Sequence, residues 1–338
     1  MFFSENLKTV LDKLFLLFCT FTNIKFLERA KHTMKKLVVF VLFLIFVFLL
    51  ADCNETNHYN NQKPIKIEIG NKQHVNLDEN KTKNVKTINV AISTMISPQK
   101  TFYLYENLLR YIEKRLGIQI ILKQRKSYQE VNDLLEEGKL DFAYVCSGAY
   151  VVAKRKFPIK ILAAPQMNHK TYYQAYIIVN KKSRYKTFDD LKGKSFAFSD
   201  PLSNTGYKYV LKLLKERYTN VDEFFSKTIF TYAHDYSIQA VARGLVDGAT
   251  VDGLVFDYLR TNDPGKVKNV KIIQKSQNFG IPPFVYAPNS DPVLIKKIQN
   301  ILLNMDKNKE GEEILKKLQI EKFVMVKPDI YKSLESFN

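Results

Sequence analysis

Tryptophan is absent from the chain, and cysteine and histidine are scarce, at three and five of 338 residues. The cysteines are Cys19, Cys53 and Cys146. The first two fall at or before the end of an apolar leader, so Cys146 is left alone and a disulfide framework is excluded. The histidines show no HxxxH spacing and the cysteines no CxxC spacing, which leaves no zinc site to argue for. Nothing in the chain implies any other metal or a cofactor. Long apolar runs are also few. Residues 37–51 form one unbroken run; at about 1.5 Å per residue it spans roughly 22 Å, short of the roughly 30 Å hydrocarbon core.

Charge of one sign is plentiful. The chain carries 52 Lys+Arg against 34 Asp+Glu, a net charge of +18. From Cys53 onward 45 basic and 30 acidic side chains remain. Such a balance suits nucleic acid, an anionic membrane or an anionic small ligand. The lysines are spread over many helices and mixed with glutamate. They lack the basic–aromatic clustering of a nucleic-acid surface, so no nucleic-acid partner is expected.

The apolar run begins after Met34-Lys-Lys36 and ends at Leu50-Ala-Asp-Cys53. Its length and flanks favour a signal peptide. The segment resembles a bacterial lipoprotein leader, which implies lipid attachment at Cys53 and a membrane-tethered protein in the periplasm or on the cell surface. Asp52 departs from that pattern, leaving a cleaved soluble form or an uncleaved anchor as alternatives. Residues 1–33 read as an upstream extension of the reading frame, or else as an extra segment. Residues 54–86 are rich in Asn, Lys, Gln and Thr and poor in large apolar residues, and read as a disordered tether.

From residue 87 the pattern alternates. Strand-like runs at 87–93, 118–122, 140–146, 159–164 and 173–179 are separated by helical spacing at 99–116 and 127–137. The rhythm restarts with strands at 195–198, 228–232 and 247–250, separated by helices at 207–217 and 234–243. Strands at 271–274 and 284–287 and three closing helices follow. This predicts an α/β protein of two lobes, each a mostly parallel sheet covered by helices. Residues 87–180 and 274–338 are assigned to lobe 1 and 181–273 to lobe 2, with crossings near 180–183 and 268–275. Glu136-Glu-Gly-Lys-Leu-Asp-Phe-Ala143 is echoed by Arg243-Gly-Leu-Val-Asp-Gly-Ala249, one copy in each half. A ligand is expected between the lobes, at the strand C-termini.

The most informative stretch is Ser199-Asp-Pro-Leu-Ser-Asn-Thr-Gly-Tyr207. A strand leads through it into a helix start, where free N–H groups and the positive end of the helix dipole suit an anion. Ser203 and Thr205 offer hydroxyls, and Gly206 permits close approach. An ordinary helix cap without a ligand fits the same residues.

Together with Leu140-Asp-Phe-Ala-Tyr-Val-Cys-Ser-Gly-Ala-Tyr150, Tyr173-Gln-Ala-Tyr-Ile-Ile-Val179 and His234 followed by Val246-Asp-Gly-Ala-Thr250, this stretch resembles the phosphonate/phosphite/phosphate-binding (PhnD-like) family of periplasmic solute-binding proteins. The resemblance runs from about residue 87 to the end. It implies a type II periplasmic binding protein fold and a monomer that serves an ABC permease and its ATPase. It places the ligand oxygens against Ser203, Asn204, Thr205 and Gly206, with His234 beside them and Tyr128 and Tyr173 closing from the other lobe. Tyr150 and Asp252 fall near the same cleft. Core packing is the competing reading of each tyrosine, and helix capping that of His234. Where aminoalkylphosphonate-binding members carry carboxylates, this chain has Leu254 and Pro282. That favours a compact oxyanion such as phosphite, phosphate or methylphosphonate. The resemblance implies no enzyme. A sensor for a signalling partner, and a thiol enzyme built on Cys146, are the alternatives.

Overall fold

The computed structural model describes residues 67–68 and 86–335. The readings made for residues 1–33, for the leader at 34–53 with Cys53, and for most of the tether lie outside the described residues. Among the described residues no helix is long and apolar enough to cross a membrane.

In chain order, β1 (Ile67–Glu68) precedes β2 (Thr87–Ile92), α1 (Pro98–Leu116), β3 (Gln119–Leu122), α2 (Tyr128–Glu136), β4 (Phe142–Tyr144) and α3 (Ser147–Lys156). Then come β5 (Lys160–Gln166), β6 (Tyr172–Tyr173), β7 (Ala175–Asn180) and β8 (Ser195–Phe198). A π-helical turn, Asn204–Lys208, opens α4 (Tyr209–Lys215), followed by α5 (Val221–Phe224), β9 (Lys227–Phe230) and α6 (His234–Ala242). The chain continues through β10 (Gly248–Asp252), α7 (Gly253–Asn262), β11 (Val270–Lys275), β12 (Phe279–Gly280) and β13 (Phe284–Tyr286). It closes with α8 (Pro292–Leu303), α9 (Lys309–Leu318), β14 (Lys322–Val324) and α10 (Lys332–Glu335).

The strands form two main sheets, ordered β1-β3-β2-β4-β13-β5-β14 and β11-β7-β10-β8-β9, and a small pair β12-β6. The α/β, two-sheet plan is as expected, but the sheets are mixed, not mostly parallel. β2 runs parallel to β3 and β4, and β8 parallel to β9 and β10. The flanking strands β13, β5, β14, β7 and β11 pair antiparallel. The reason is the double crossing: β7 and β13 each enter a sheet from the opposite half of the chain, and so run against the βαβ strands they join.

The crossings also differ from those expected. β7 pairs with β10 and β11, and Asn180 lies opposite Val270 inside the second sheet. The strand-like run 173–179 therefore does not belong to the first lobe as one strand. It breaks at Gln174, whose side-chain amide donates to the carbonyl of Ser276. Ser276 Oγ accepts from the N–H of Ala175 at 2.8 Å. The chain passes between sheets at these two neighbouring points. Within the stretch read as a tether, Ile67 and Glu68 pair with Leu122 and Ile121. The alternation Ile65-Lys-Ile-Glu-Ile69 supplies β-branched residues of the kind an edge strand accepts. Helix α7, Gly253–Asn262, lies in a stretch to which the sequence pattern assigned no element.

The repeated phrase has one structural role in both halves. Gly138 and Gly244 end helices with φ of 65° and 71°, a backbone that favours glycine. Asp141 then accepts the N–H of Asn89 at 2.7 Å, while its own N–H donates to the Asn89 carbonyl. Asp247 does the same for Ser195, accepting its N–H at 3.0 Å and donating to its carbonyl. Each aspartate fixes the register between two parallel strands at their N-terminal ends.

Burial on one helix face holds each layer. α1 turns Leu108, Leu109 and Ile112 inward, starts at Pro98 and stops at Gly117 with φ 64°. In the second half Phe188 stacks on Phe224 and Phe196 on Phe225, with centroids 4.9 and 4.4 Å apart.

Candidate functional site

Six helical starts follow the C-terminal ends of parallel strands. Those at Ser97, Ser127 and Cys146 follow β2, β3 and β4; those at Ser203, Ala233 and Asp252 follow β8, β9 and β10. Helix dipoles and incompletely bonded N–H groups make such a rim electropositive. Two of the starts are capped across the cleft. Ser97 donates its N–H and its hydroxyl to the carboxylate of Asp235, both at 2.8 Å. Tyr128 donates its N–H to Asp200 Oδ2 at 3.0 Å. The N–H of His234 reaches the carbonyl of Met95 at 3.0 Å. The two halves therefore meet directly.

The loop from the second sheet is wound wide. The N–H of Lys208 reaches back five residues to the carbonyl of Ser203 at 3.0 Å, which is the π-helical turn. Such turns are frequent at functional sites. Ser203 Oγ accepts from the Gly206 N–H at 3.0 Å. A Cβ on Gly206 would stand 1.7 Å from Ser199 Oγ, so the loop closes only with glycine there. Thr250 donates its hydroxyl to the carbonyl of Thr205. Ser203, Asn204 and Thr205 are fully buried, yet Thr205 Oγ1 and Asn204 Oδ1 make no hydrogen bond among the described residues.

His234 lies beneath this loop, fully buried. Its Nδ1 accepts the Asp252 N–H at 3.0 Å, and its Nε2 faces the hydroxyls of Ser203 and Ser199 at 3.4 and 3.5 Å. Nδ1 therefore carries no proton and Nε2 carries one. Burial pushes the imidazole pKa down to about 3, so it is a neutral donor to the serines, not an imidazolium. Asp252 caps α7 through the Leu254 N–H at 2.7 Å. Burial raises its carboxyl to about 7.

From the first half, Tyr128 is buried and its hydroxyl has no partner among the described residues. Burial raises its pKa well above the ordinary value, helped by Cys146, Asp200, Asp252 and Tyr173 nearby. Tyr173, on the crossing segment β6, shares a 2.7 Å hydrogen bond with Ser147 Oγ and receives the Asn204 amide at 3.4 Å. The structure thus brings together Ser203, Asn204, Thr205, Gly206, His234, Tyr128, Tyr173 and Asp252. Tyr150 does not join them. It stands one turn into α3, on the face that packs against the C-terminal segment, with its ring 4.9 Å from Tyr331.

Sequence reasoning missed Ser199, Ser147 and Ser93. Ser93, directly after β2, is buried, and its hydroxyl has no partner among the described residues. Its place directly after a parallel strand was the available signal. Cys146 sits 4.0 Å from Ser203 Oγ, and burial pushes its thiol up, which works against a thiolate nucleophile. Among the described residues no group of three or more His, Cys, Asp or Glu stands where it could hold a metal ion.

Residues 90–331 match the model of a family described as the periplasmic substrate-binding proteins of phosphonate ABC transporters. The chain belongs to this family. The match covers nearly all of both sheets and every residue of the cluster above. Among relatives of this substrate-binding family, the phosphonates-binding periplasmic protein of Escherichia coli K12 is 25% identical over 238 residues, 69% of this chain and 70% of its own length. A probable ABC transporter phosphite binding protein of Prochlorococcus marinus is 21% identical, covering 58% of this chain and 70% of its own. A binding protein component of a phosphonate transporter from Pseudomonas aeruginosa has the same fold, with a TM-score of 0.71 at 23% identity over 75% of this chain and 85% of its own. The Prochlorococcus protein in complex with methylphosphonate gives a TM-score of 0.69 at 18% identity over 75% and 97%. The fold of both is the type II periplasmic binding protein fold.

Proposed function

We propose that this protein captures a phosphorus oxyanion between its two sheets and delivers it to an ABC permease driven by its ATPase, with no chemistry on the ligand. The observation that carries this reading is a pair of buried, unpartnered hydroxyls, Thr205 Oγ1 and Tyr128 OH, contributed by opposite halves where helix starts converge. A buried hydroxyl without a partner is costly, and an oxyanion accepts from several at once. The E. coli relative is named for phosphonates and the Prochlorococcus one for phosphite, and the latter has been solved with methylphosphonate. Periplasmic placement, a tether through Cys53 and action as a monomer complete the proposal.

Thermal melting with phosphate, phosphite, methylphosphonate and sulfate tests it. A ligand at 100 times its Kd adds about 2.7 kcal/mol. At about 2–4 °C per kcal/mol for a domain of this size, the melting point should rise by roughly 5–10 °C. If no phosphorus oxyanion moves it, the reading is wrong.

A further inference from the structure

Every strand of the second sheet carries basic residues at one end, and the Ser203–Gly206 loop, His234 and Asp252 lie at the other. Val270 stands opposite Asn180, Gly248 opposite Val179 and Phe196, and Ser195 opposite Lys227. Lys268 before β11, Lys181 and Lys182 after β7, Arg243 before β10, Lys194 before β8 and Lys227 in β9 therefore share one end of the sheet. Five strands at about 4.8 Å make it roughly 19 Å wide. The loop after β7 is fastened across it. Lys181 donates its N–H to the carbonyl of Asn269 at 2.7 Å. The Asn180 amide donates to the carbonyls of Val241 and Ala242 at the end of α6, and the Tyr185 hydroxyl to Asp247 at 3.1 Å.

The carboxylates nearby are engaged within the fold. Asp247 accepts the N–H and hydroxyl of Ser195. Asp190 accepts the N–H groups of Lys186 and Thr187, with Arg184 beside it, and Asp189 pairs with Arg217 at 2.6 Å. Asp222 and Glu223, in the first turn of α5, make the β9 side the less basic one. Lys181, Lys182, Lys186, Arg243 and Lys268 are exposed and make no ion pair among the described residues. Leu245, two residues beyond Arg243, is 70% exposed.

We propose that this end of the second sheet rests on a bilayer surface with anionic headgroups, with Leu245 entering between them. Charge complementarity selects the partner class, and the kind of side chain selects lipid within it. Lysine predominates over arginine here, and lysine is depleted where proteins meet proteins. Tyr185 is half-buried with its hydroxyl held by Asp247, so it is a poor stacking platform for a nucleic-acid base. Flexible ammonium groups around an exposed leucine suit a fluid layer of phosphates. The anion loop follows the opposite ends of the same strands, so it faces away from that surface and stays open to ligand. The proposal goes beyond the oxyanion reading and stands or falls separately from it.

Trace acetylation of the full chain, read lysine by lysine by mass spectrometry, tests this on vesicles of phosphatidylcholine alone and of phosphatidylcholine with phosphatidylglycerol in equal parts. Each basic side chain at an anionic surface strengthens the attraction roughly fivefold. Lys181, Lys182, Lys186 and Lys268 should therefore react severalfold more slowly on the mixed vesicles than on the neutral ones. Lys309, Lys316 and Lys317, exposed on α9, should keep their rates. In about 1 M salt, where screening leaves a reach of roughly 3 Å, the difference should vanish. Lys181→Glu combined with Lys268→Glu should abolish the slowing at Lys182 and Lys186, with the melting point and methylphosphonate affinity of the parent retained. No slowing on the mixed vesicles overturns the proposal. So does equal slowing on both vesicles or at every exposed lysine, which an N-terminal anchor alone would produce. Slowing by soluble polyglutamate as strong as that by the mixed vesicles overturns the assignment to lipid. None of these outcomes touches the oxyanion site, which the thermal panel tests.

Discussion

The backbone N–H of Asp252 donates to Nδ1 of His234 at 3.0 Å, joining the start of one helix to the start of another. This contact fixes the tautomer and points the remaining N–H at Ser203 and Ser199, while burial keeps the ring neutral. His234 therefore positions hydroxyls. It should not titrate between pH 5 and 8, and nitrogen chemical shifts should show an unprotonated Nδ1 throughout. A histidine that gains a proton near pH 6.5 in the folded protein would contradict this arrangement.

The same pair predicts an unusual pH dependence of stability. Folding raises the Asp252 pKa from 3.8 to about 7, so the folded chain holds a proton that the unfolded chain has lost. That contribution is present at low pH and disappears as pH rises from about 4 to about 7. Folding lowers the His234 pKa from 6.5 to about 3, so the folded chain refuses a proton that the unfolded chain takes. That contribution is lost as pH falls from 6.5 to about 3. Between about pH 4 and 6.5 the two oppose each other. Asp252→Asn keeps the cap and should expose the histidine slope, with stability rising by up to about 1.4 kcal/mol per pH unit over that range. His234→Gln should expose the opposite slope. Urea melts of both variants across pH 4–8 decide it. Parallel curves for the two would sink the argument.

The loop carries the third prediction. Thr205→Val preserves shape and removes the hydroxyl that lacks a partner among the described residues. A hydrogen bond to a charged group is worth about 1.5–3 kcal/mol, so affinity for the oxyanion should fall roughly tenfold to a hundredfold. Stability without ligand should hold or rise, because a buried unpartnered hydroxyl is gone. Cys146→Ser should bind within a fewfold of the parent, since the thiol lies behind Ser203. Calorimetry on both variants reads the pattern, and unchanged binding by Thr205→Val would remove the loop from the site.

What was legible in the sequence and what was not divide along a physical line. Ser203 to Gly206, His234 and Asp252 sit directly after strands, where topology alone brings side chains to one rim. Their grouping could be read from order along the chain. Tyr150 could not be separated from Tyr128 that way, because each lies near a helix start and only packing against Tyr331 shows that Tyr150 faces elsewhere. The sheet crossings were hidden for a related reason. Residues 173–179 form one strand-like run, and only the bonds between Gln174, Ala175 and Ser276 show the chain leaving one sheet for the other. The double crossing likewise makes the sheets mixed, since pairing direction depends on where a distant strand inserts.

The last prediction concerns closure. The Asp235 carboxylate, at the start of α6, caps the start of α1 on the opposite sheet through two bonds of 2.8 Å to Ser97. Ser97 makes no capping bond of its own, so α1 depends on the other half for this cap. Closed and open arrangements would differ by this contact, with Gln174 and Ser276 absorbing the motion at the crossings. Asp235→Ala should therefore shift the unliganded protein toward the open form. Its radius of gyration should increase relative to the parent, and saturating oxyanion should bring the two together. Affinity should fall by about tenfold or more, because only the closed fraction binds tightly. Asp235→Asn, which retains an acceptor for the Ser97 N–H, should lie between. Small-angle scattering with and without ligand, read beside calorimetry, tests both parts. Equal radii and equal affinities for Asp235→Ala and the parent would show that the Ser97–Asp235 contact does not hold the halves together.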